Sequence, residues 1–384
     1  MDAKETRWLR RALTLARKAE GRTRPNPPVG AVVVKRGRVI GEGFHARAGQ
    51  PHAEVEALDA CRASPRGATL YVTLEPCSTT GRTPPCTERI IRDGITRVVV
   101  GCPDPNPRHA GAGLAALAAA GIAVSECNGV CRAQAEELIA PFAKHVTTGL
   151  PFVTLKLALT LDGRTADRTG TSKWITGEKA RAEVQRMRRR ADAVMVGAGT
   201  VCADNPSLLC RLPGCDTQMR VIVDASGRTP PDAQVYTDRA ATRTVIATTR
   251  AAAARNGKAW AQNGAQVWTF TPDRAGRIPL RQLMKRLGGE GLLHVLCEGG
   301  AQLADALHNA GLVDDYSFFY APAILGDNLL PGLPRLRLRD TRRIGDDLLV
   351  RIRNCRERGA SRERRASALQ SAMKNEGHER EFFF

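Results

Sequence analysis

His52, Glu54, Cys77 and Cys86 are the side chains of this sequence whose types and spacing point most directly to chemistry. One histidine and two cysteines can hold a zinc ion with three protein ligands and leave its fourth position to water. That open position separates a catalytic zinc from a closed structural one. Glu54, two residues after His52, is not a ligand in such a set but stands where a general acid and base is needed. Magnitudes explain why both parts are required. Zinc lowers the pKa of a bound water from about 15.7 to about 7, which is about 12 kcal/mol of proton affinity at about 1.4 kcal/mol per unit. A positioned general base alone contributes about 10²–10⁴-fold. The chemistry specified is hydrolytic removal of an amino group from a ring carbon, with Glu54 moving protons to the ring nitrogen and the departing amine.

These groups have to be delivered by the ends of regular elements. Ala68 to Leu74 reads as a half-buried strand stopping at Glu75, and Thr87 to Arg92 as a helix beginning after Cys86. His52 opens a helix predicted from Ala53 to Cys61, after the turn Ala48-Gly49-Gln50-Pro51. Strand ends and helix starts are where α/β folds place ligand-binding groups. The interval Cys77-x8-Cys86 is longer than a compact Cys-x-x-Cys zinc motif, so this setting carries the assignment. His45 as a fourth ligand would leave no place for water; a structural or substrate-facing role is expected for it.

Strands and helices alternate along the whole first half. Val29 to Val34 and Arg38 to Glu42 read as a hairpin around Lys35-Arg36-Gly37, followed by the His52 helix, the Leu70 strand, the Cys86 helix and the strand Arg97 to Val100. A small-residue helix, Gly113 to Ala120, leads to Ile122-Ala123-Val124 and one last helix from about Cys131 to His145. The pattern predicts an α/β sandwich around one mixed sheet. Thr148-Gly149-Leu150-Pro151 is a turn-rich break, placing a domain boundary between 148 and 149. Beyond it, strands are predicted at Pro151 to Ala158, Ala193 to Val196, Arg220 to Val223, Thr244 to Ala247, Gln266 to Trp268 and Leu292 to Leu296. Helices fall near Glu178–Arg190, Pro279–Leu287 and Ala301–Ala310, again an α/β unit, here assigned residues 149–355. Residues 356–384 alternate charges with small residues and read as a charged, partly helical or disordered extension.

Composition bounds the partners. The chain of 384 residues is long enough for two domains with cores of their own. No apolar run approaches the roughly 18 residues of a membrane span, and the start of the sequence lacks a signal peptide's apolar stretch. Eleven cysteines, an odd number without regular spacing, argue against a disulfide framework and for a reducing cytoplasm. A formal charge of +19 invites nucleic acid as a partner, yet aromatics make up only 4% and offer poor stacking platforms. No specific nucleic-acid partner is expected; an anionic small molecule suits the charge, and a homo-oligomer is expected.

The wording around the zinc residues is closer to one family than the chemistry alone requires. Pro25-Asn26-Pro27-Pro28-Val29-Gly30, Gly41-Glu42-Gly43-Phe44-His45, His52-Ala53-Glu54, Leu74-Glu75-Pro76-Cys77, Gly81-Arg82-Thr83-Pro84-Pro85-Cys86 and Asp104-Pro105-Asn106-Pro107 resemble, in that order, the pyrimidine deaminases of riboflavin biosynthesis. The second half resembles their usual fusion partner, the ribosylaminouracil reductases, and the resemblance covers roughly residues 7 to 354. It implies a cytidine-deaminase-like three-layer domain followed by a dihydrofolate-reductase-like domain, one Zn2+ in the first and NADPH in the second. The implied substrate is 2,5-diamino-6-(5-phosphoribosylamino)pyrimidin-4(3H)-one, deaminated first. The ribosyl group of the resulting 5-amino-6-(5-phosphoribosylamino)uracil is then reduced to ribityl.

The same resemblance assigns residues. Asn26, which by itself would be a turn former between prolines, falls on a pyrimidine-binding position. Ser172, Arg188, Leu208, Arg211 and Glu298 fall on further substrate-contact positions, and an arginine fork is apt for the ribose phosphate. Ala158, Trp174, Thr200, Asp204, Ser226, Gly300, Ala301 and Gln302 fall on cofactor-contact positions. Of these, Glu298-Gly299-Gly300-Ala301 has a physical reading of its own, because free N–H groups at a helix start suit a pyrophosphate. Gly197-Ala198-Gly199-Thr200 after a strand reads as a glycine-rich phosphate turn, a weaker signal. Lys156 on its strand could either face the substrate or extend to solvent. Two departures from the family pattern are Thr79, where a histidine is common, and Leu209, where a threonine is common.

A deaminase of free or RNA-borne bases with a basic RNA-binding second half is the competing reading. Thr200 to Asp204 and Glu298-Gly299-Gly300 argue against it.

Overall fold

A computed structural model describes residues 3–80, 84–160, 163–165, 176–215, 218–321, 336–345 and 347–354. Ser172 and Trp174, the Gly81-Arg82-Thr83 part of the cysteine loop and the 356–384 extension lie outside the described residues.

The first half runs α1 (Ala3–Ala16), β1 (Gly30–Lys35), β2 (Arg38–Phe44), α2 (Ala53–Asp59), β3 (Thr69–Val72), α3 (Cys86–Arg92), β4 (Arg97–Val100), α4 (Ala112–Ala119), β5 (Ala123–Glu126), α5 (Gly129–Leu138) and α6 (Ala140–Thr148). Its sheet has the order β2-β1-β3-β4-β5. β1 pairs antiparallel with β2 and β3, while β3, β4 and β5 are mutually parallel. The β1–β2 turn places Arg36 and Gly37 at φ 49° and 73°, both left-handed as a two-residue hairpin turn requires. Alternation along the strands builds two cores. Ala31, Val33, Leu70, Val72, Val98 and Val100 face Ala53, Ala57 and Leu58 of α2, Ile90 of α3 and Leu117 of α4. Val32, Val34, Tyr71 and Val99 face Trp8, Leu9 and Ala12 of α1 and Cys131 of α5. A period of two on each strand thus specifies the three-layer α/β/α sandwich.

One helix was expected from Cys131 to His145, and two are found. The break lies at Ile139 (φ −97°, ψ 6°), with Pro141 at the start of α6. Proline has no N–H for the carbonyl four residues back and clashes with it, so α5 stops and Pro141 instead begins a new helix, where its missing donor is harmless. α6 ends at Thr148 on Gly149, at φ 70°.

The second half comprises β6 (Phe152–Thr160), α7 (Glu178–Arg190), β7 (Ala193–Gly197), α8 (Ala198–Asp204), β8 (Met219–Asp224), α9 (Gln234–Thr237), β9 (Thr244–Thr249), α10 (Arg250–Gln262), β10 (Gln266–Phe270), α11 (Leu280–Gly289), β11 (His294–Cys297), α12 (Ala301–Asn309), β12 (Asp315–Ala321), β13 (Leu336–Ile344) and β14 (Asp347–Asn354). They form a mixed sheet of order β10-β9-β8-β7-β11-β6-β12-β14-β13. Seven strands, β10 through β12 in that order, are parallel; β14 and β13 are antiparallel. Val194 and Val196 face one side and Val153, Leu155, Met195 and Val295 the other, so both faces are buried, as a parallel sheet requires. After β7 the chain moves outward to β10 and then returns to insert β11 between β7 and β6. That reversal opens a crevice at the carboxyl ends of β7, β8 and β11, the standard place for a ligand in an α/β sheet. Among the described residues no helix is long and apolar enough to cross a membrane.

Candidate active sites

The first site stands where β3 ends and two helices begin. His52 is the residue preceding α2, Cys86 is the first residue of α3, and Cys77 lies on the loop leaving β3. His52 Nδ1 is 3.5 Å from Cys77 Sγ and 3.3 Å from Cys86 Sγ. The three donor atoms lie within 4.8 Å of one another, and this is the single cluster of metal-binding type among the described residues. One imidazole nitrogen and two sulfurs converging on one point are a donor set for zinc, with no fourth protein ligand in the cluster. The Cys86 thiol hydrogen-bonds Cys77 and, with His52, holds Cys77 down to about 4, so the site already favours a thiolate.

Glu54 lies in the first turn of α2 and is 3% exposed. Burial first, then the charge of Cys77, push its carboxyl up to about 7 against the pull of His52. A carboxyl in that range can both take and return a proton near neutrality.

His45 is buried but is not part of the metal cluster. Its Nδ1 donates to Pro51 O at 3.0 Å, and its Nε2 accepts from Asn26 Nδ2 at 3.0 Å. Burial lowers its pKa, keeping the ring neutral so that Nε2 can accept. The bond fixes the Asn26 carboxamide through its nitrogen. The imidazoles of His45 and His52 meet edge to face at 5.2 Å.

Sequence reading passed over Glu75 as a functional side chain. It is buried and accepts from four backbone N–H groups: Asp104 at 3.0 Å, Gly111 at 3.1 Å, Gly113 at 2.9 Å and Leu114 at 3.4 Å. One carboxylate two residues before a zinc ligand therefore ties down the Asp104-Pro105-Asn106-Pro107 loop and the start of α4. Gly113 has to be glycine, because a Cβ there would lie 2.0 Å from Pro76 O. The partners of the Glu75 carboxylate are far along the chain, so no sequence period signals it.

The second site is the crevice in the larger sheet, a cleft of about 1700 Å³. Ala158, Arg188, Thr200, Asp204, Leu208, Arg211, Ser226, Glu298, Gly300, Ala301 and Gln302 all line it, drawn from five separate stretches of chain. Glu298, just beyond β11, is gripped by Arg188 of α7 through Nε to Oε1 at 2.5 Å and through a second nitrogen to Oε2 at 3.1 Å. Lys156 Nζ stands 3.8 Å from Glu298 Oε2. Burial alone would raise Glu298, but Arg188 and Lys156 outweigh it and the net shift is downward. Lys156 is itself lowered by burial, with Glu298 opposing. The strand lysine therefore turns into the cleft and not toward solvent.

The remaining Arg188 nitrogen donates to Leu209 O at 2.9 Å. Arg188 is thus fully engaged with protein, whereas Arg211 on the loop beyond Leu209 is exposed. The loop Asn205–Leu208 carries two non-glycine residues with left-handed backbones, Asn205 at φ 40° and Leu208 at φ 58°. Such conformations persist only when the surroundings impose them. Here fully buried Arg220 does so, donating to Ser207 O at 2.9 Å and to Asp238 at 2.7 Å. The stretch read as a glycine-rich turn is different in the structure. β7 passes straight into α8 at Gly197, and Gly199 and Thr200 are helical. The glycines that do turn are Gly299 and Gly300, at φ 97° and 36°, which lead into α12.

Two family models match the chain: residues 2–102 match the cytidine and deoxycytidylate deaminase zinc-binding region, and residues 151–350 match the RibD C-terminal domain. The riboflavin biosynthesis protein RibD of Bacillus amyloliquefaciens is 43% identical over 90% of this chain and 95% of its own length. That of Escherichia coli is 38% identical over 90% of this chain and 98% of its own. Among solved structures, RibD of Acinetobacter baumannii superimposes with a TM-score of 0.80 at 37% identity, covering 92% of this chain and 99% of the other. A diaminohydroxyphosphoribosylaminopyrimidine deaminase/5-amino-6-(5-phosphoribosylamino)uracil reductase of Thermotoga maritima does so with a TM-score of 0.81 at 38% identity, covering 92% and 99%. With both halves matched in order and nearly the full length shared, this chain belongs to the RibD family of riboflavin biosynthesis proteins.

Proposed function

We propose that the chain converts 2,5-diamino-6-(5-phosphoribosylamino)pyrimidin-4(3H)-one in two steps, deaminating the pyrimidine in residues 1–148 and reducing the ribosyl group in residues 149–355. The observation that carries it is the presence of two separate, chemically distinct sites on two separate sheets: the His52/Cys77/Cys86 cluster with Glu54, and the cleft around Glu298.

In the first site, His52, Cys77 and Cys86 would hold zinc, which would supply an acidified water at near-neutral pH. Glu54 would carry one proton from the attacking water to the pyrimidine nitrogen and then a second, from the hydroxyl now on the ring carbon, to the amine that leaves as ammonia. Asn26, oriented by His45, offers its carboxamide oxygen to a donor on the pyrimidine edge. Glu75 holds the Asp104–Asn106 loop in place.

In the second site, the cleft residues Thr200, Asp204, Gly300 and Ala301 would hold NADPH, which would supply a hydride for the sugar carbon. Gly299, Gly300 and Ala301, where α12 begins, line the cleft, and the free N–H groups of a helix start suit a pyrophosphate there. Glu298 and Lys156, aligned by Arg188, are placed to hydrogen-bond the opened ribose and hold its reacting carbon still. Thr200 and Asp204 on α8 line the cofactor side, and Arg211 with Leu208 the substrate side. Mass spectrometry of the product tests this reading. Without NADPH the substrate should exchange one amino group for oxygen and stop; with NADPH it should also gain a pair of hydrogens. Reduction without deamination, or no change with either, would contradict it.

A further inference from the structure

β8 carries a charge in an otherwise apolar setting. Arg220, its second residue, is among the largest fully buried side chains of the molecule. Its Nη1 donates to Ser207 O at 2.9 Å and to Asp238 Oδ2 at 2.7 Å, while Nε and Nη2 are buried and meet no acceptor among the described residues. A buried cation paired this thinly adds little stability, because desolvation offsets the pairing. What it does provide is a fixed carbonyl inside the loop Asn205–Leu208. Arg220 itself is not among the residues that line the cleft.

That loop needs fixing. Asn205 and Leu208 both have left-handed backbones, at φ 40° and 58°; asparagine tolerates this, but a bulky residue rarely adopts it. The two positions have different anchors. Asn205 Oδ1 accepts from Gln234 N at 2.7 Å, at the start of α9. Leu208 buries its side chain in the cluster of Val201, Ile222 and Tyr236, directly after the carbonyl that Arg220 holds. Further on, Leu209 O accepts from Arg188 at 2.9 Å and Arg211 N donates to Gln185 Oε1 at 2.7 Å, both partners lying on α7. The stretch is thus tied separately at its two ends. Its beginning, next to Asp204, hangs on Asn205; its middle, next to Leu208 in the cleft wall, hangs on Arg220.

We propose that Arg220 is a positioning residue for the reduction, setting substrate affinity from outside the cleft by holding Leu208 in its left-handed conformation. This rests on the reductase reading given above. Because Asn205 has an anchor of its own, the cofactor end of the loop does not depend on Arg220.

The test is steady-state kinetics of wild type, Arg220→Met, Arg220→Lys and the double variant Arg220→Met/Asp238→Asn, with NADPH and the already deaminated ribosylaminouracil phosphate. Ammonia release from the diamino substrate is the control in the same preparations. Arg220→Met should raise KM for the deaminated substrate by about 10- to 100-fold, the range of a hydrogen bond to a charged group. Its kcat, its KM for NADPH and its ammonia release should not move. Arg220→Lys keeps the charge and a donor and should recover part of the loss. In the double variant the carboxylate stranded by methionine is neutral, so melting temperature should return toward wild type while the raised KM stays. That variant carries the test if circular dichroism shows Arg220→Met unfolded, and Arg220→Lys, with a smaller rise in the same KM, carries it if neither methionine variant folds. An unchanged substrate KM in folded variants, a rise of both KM values with a fall in kcat, or recovery of KM in the double variant overturns the positioning role and leaves the reductase reading intact. Wild type that does not oxidise NADPH with the deaminated substrate overturns the reductase reading, and the role of Arg220 with it.

Discussion

Arg188 and Glu298 stand 110 positions apart in sequence yet meet through two hydrogen bonds, Nε to Oε1 at 2.5 Å and a second guanidinium nitrogen to Oε2 at 3.1 Å. The pair joins α7 to the end of β11 across the reductase cleft, and Lys156 completes a buried triad of two cations and one anion. Nothing local requires any of these three residues; only the assembled sheet brings them together.

Removing Arg188 takes both short hydrogen bonds from Glu298 and leaves it Lys156 alone, 3.8 Å away. Arg188→Met strands Glu298 beside Lys156 in a site where the carboxylate side chain is only 7% exposed. Breaking such a pair destabilises by about 3–5 kcal/mol, and urea titration monitored by circular dichroism should show a loss in that range. A loss below about 1 kcal/mol, the level of an exposed pair, would mean the triad is solvated.

Glu54→Gln should retain zinc and lose ammonia release, because Glu54 is outside the ligand set and its role is to relay protons. The loss should be at least the about 10²–10⁴-fold typical of a general base. Metal analysis and an ammonia assay on the same preparation check it. Zinc lost together with activity would mean that Glu54 is a ligand.

His294 makes stability depend on pH. Its Nε2 meets Thr154 Oγ1 at 2.8 Å and its Nδ1 meets Arg190 O at 3.4 Å, and its pKa is lowered from 6.5 to about 4, first by burial, with Arg190 and Lys144 contributing. A depressed folded pKa means that the unfolded chain takes up the proton first as pH falls. The contribution is therefore complete above about 6.5 and lost progressively down to about 4. Denaturation across this window should show stability falling with acid, and His294→Gln should fall less steeply. Equal slopes would remove His294 from the account.

The zinc set was legible because its residues lie in short stretches with characteristic company. Strand periodicity likewise exposed the alternating architecture: Ala31 and Val33 on one face, Val32 and Val34 on the other. Less legible was whatever depends on distant chain. Glu75 looks like a strand end until its four N–H partners, 29 to 39 residues onward, fold back over it. Lys156 was ambiguous on its strand, and only Glu298 opposite explains its inward turn. The α5–α6 break was signalled by Pro141 but hidden by the helical pattern on both sides. The alanine-rich α10, whose Arg255 and Asn256 secure the Asp224 loop, has too weak an apolar stripe to stand out.

The central claim is that one chain carries two complete and separable sites, and a two-by-two assay tests it most directly. Cys77→Ser and Asp204→Ala are each given the diamino substrate and the already deaminated ribosylaminouracil phosphate. Serine stays protonated and is a poor replacement for a thiolate, so Cys77→Ser should release no ammonia while still oxidising NADPH with the deaminated substrate. Asp204→Ala disturbs α8 in the cleft and should deaminate normally, accumulating the unreduced intermediate. If folded Cys77→Ser also fails to reduce, or folded Asp204→Ala fails to deaminate, the two sites do not work independently and the account is wrong.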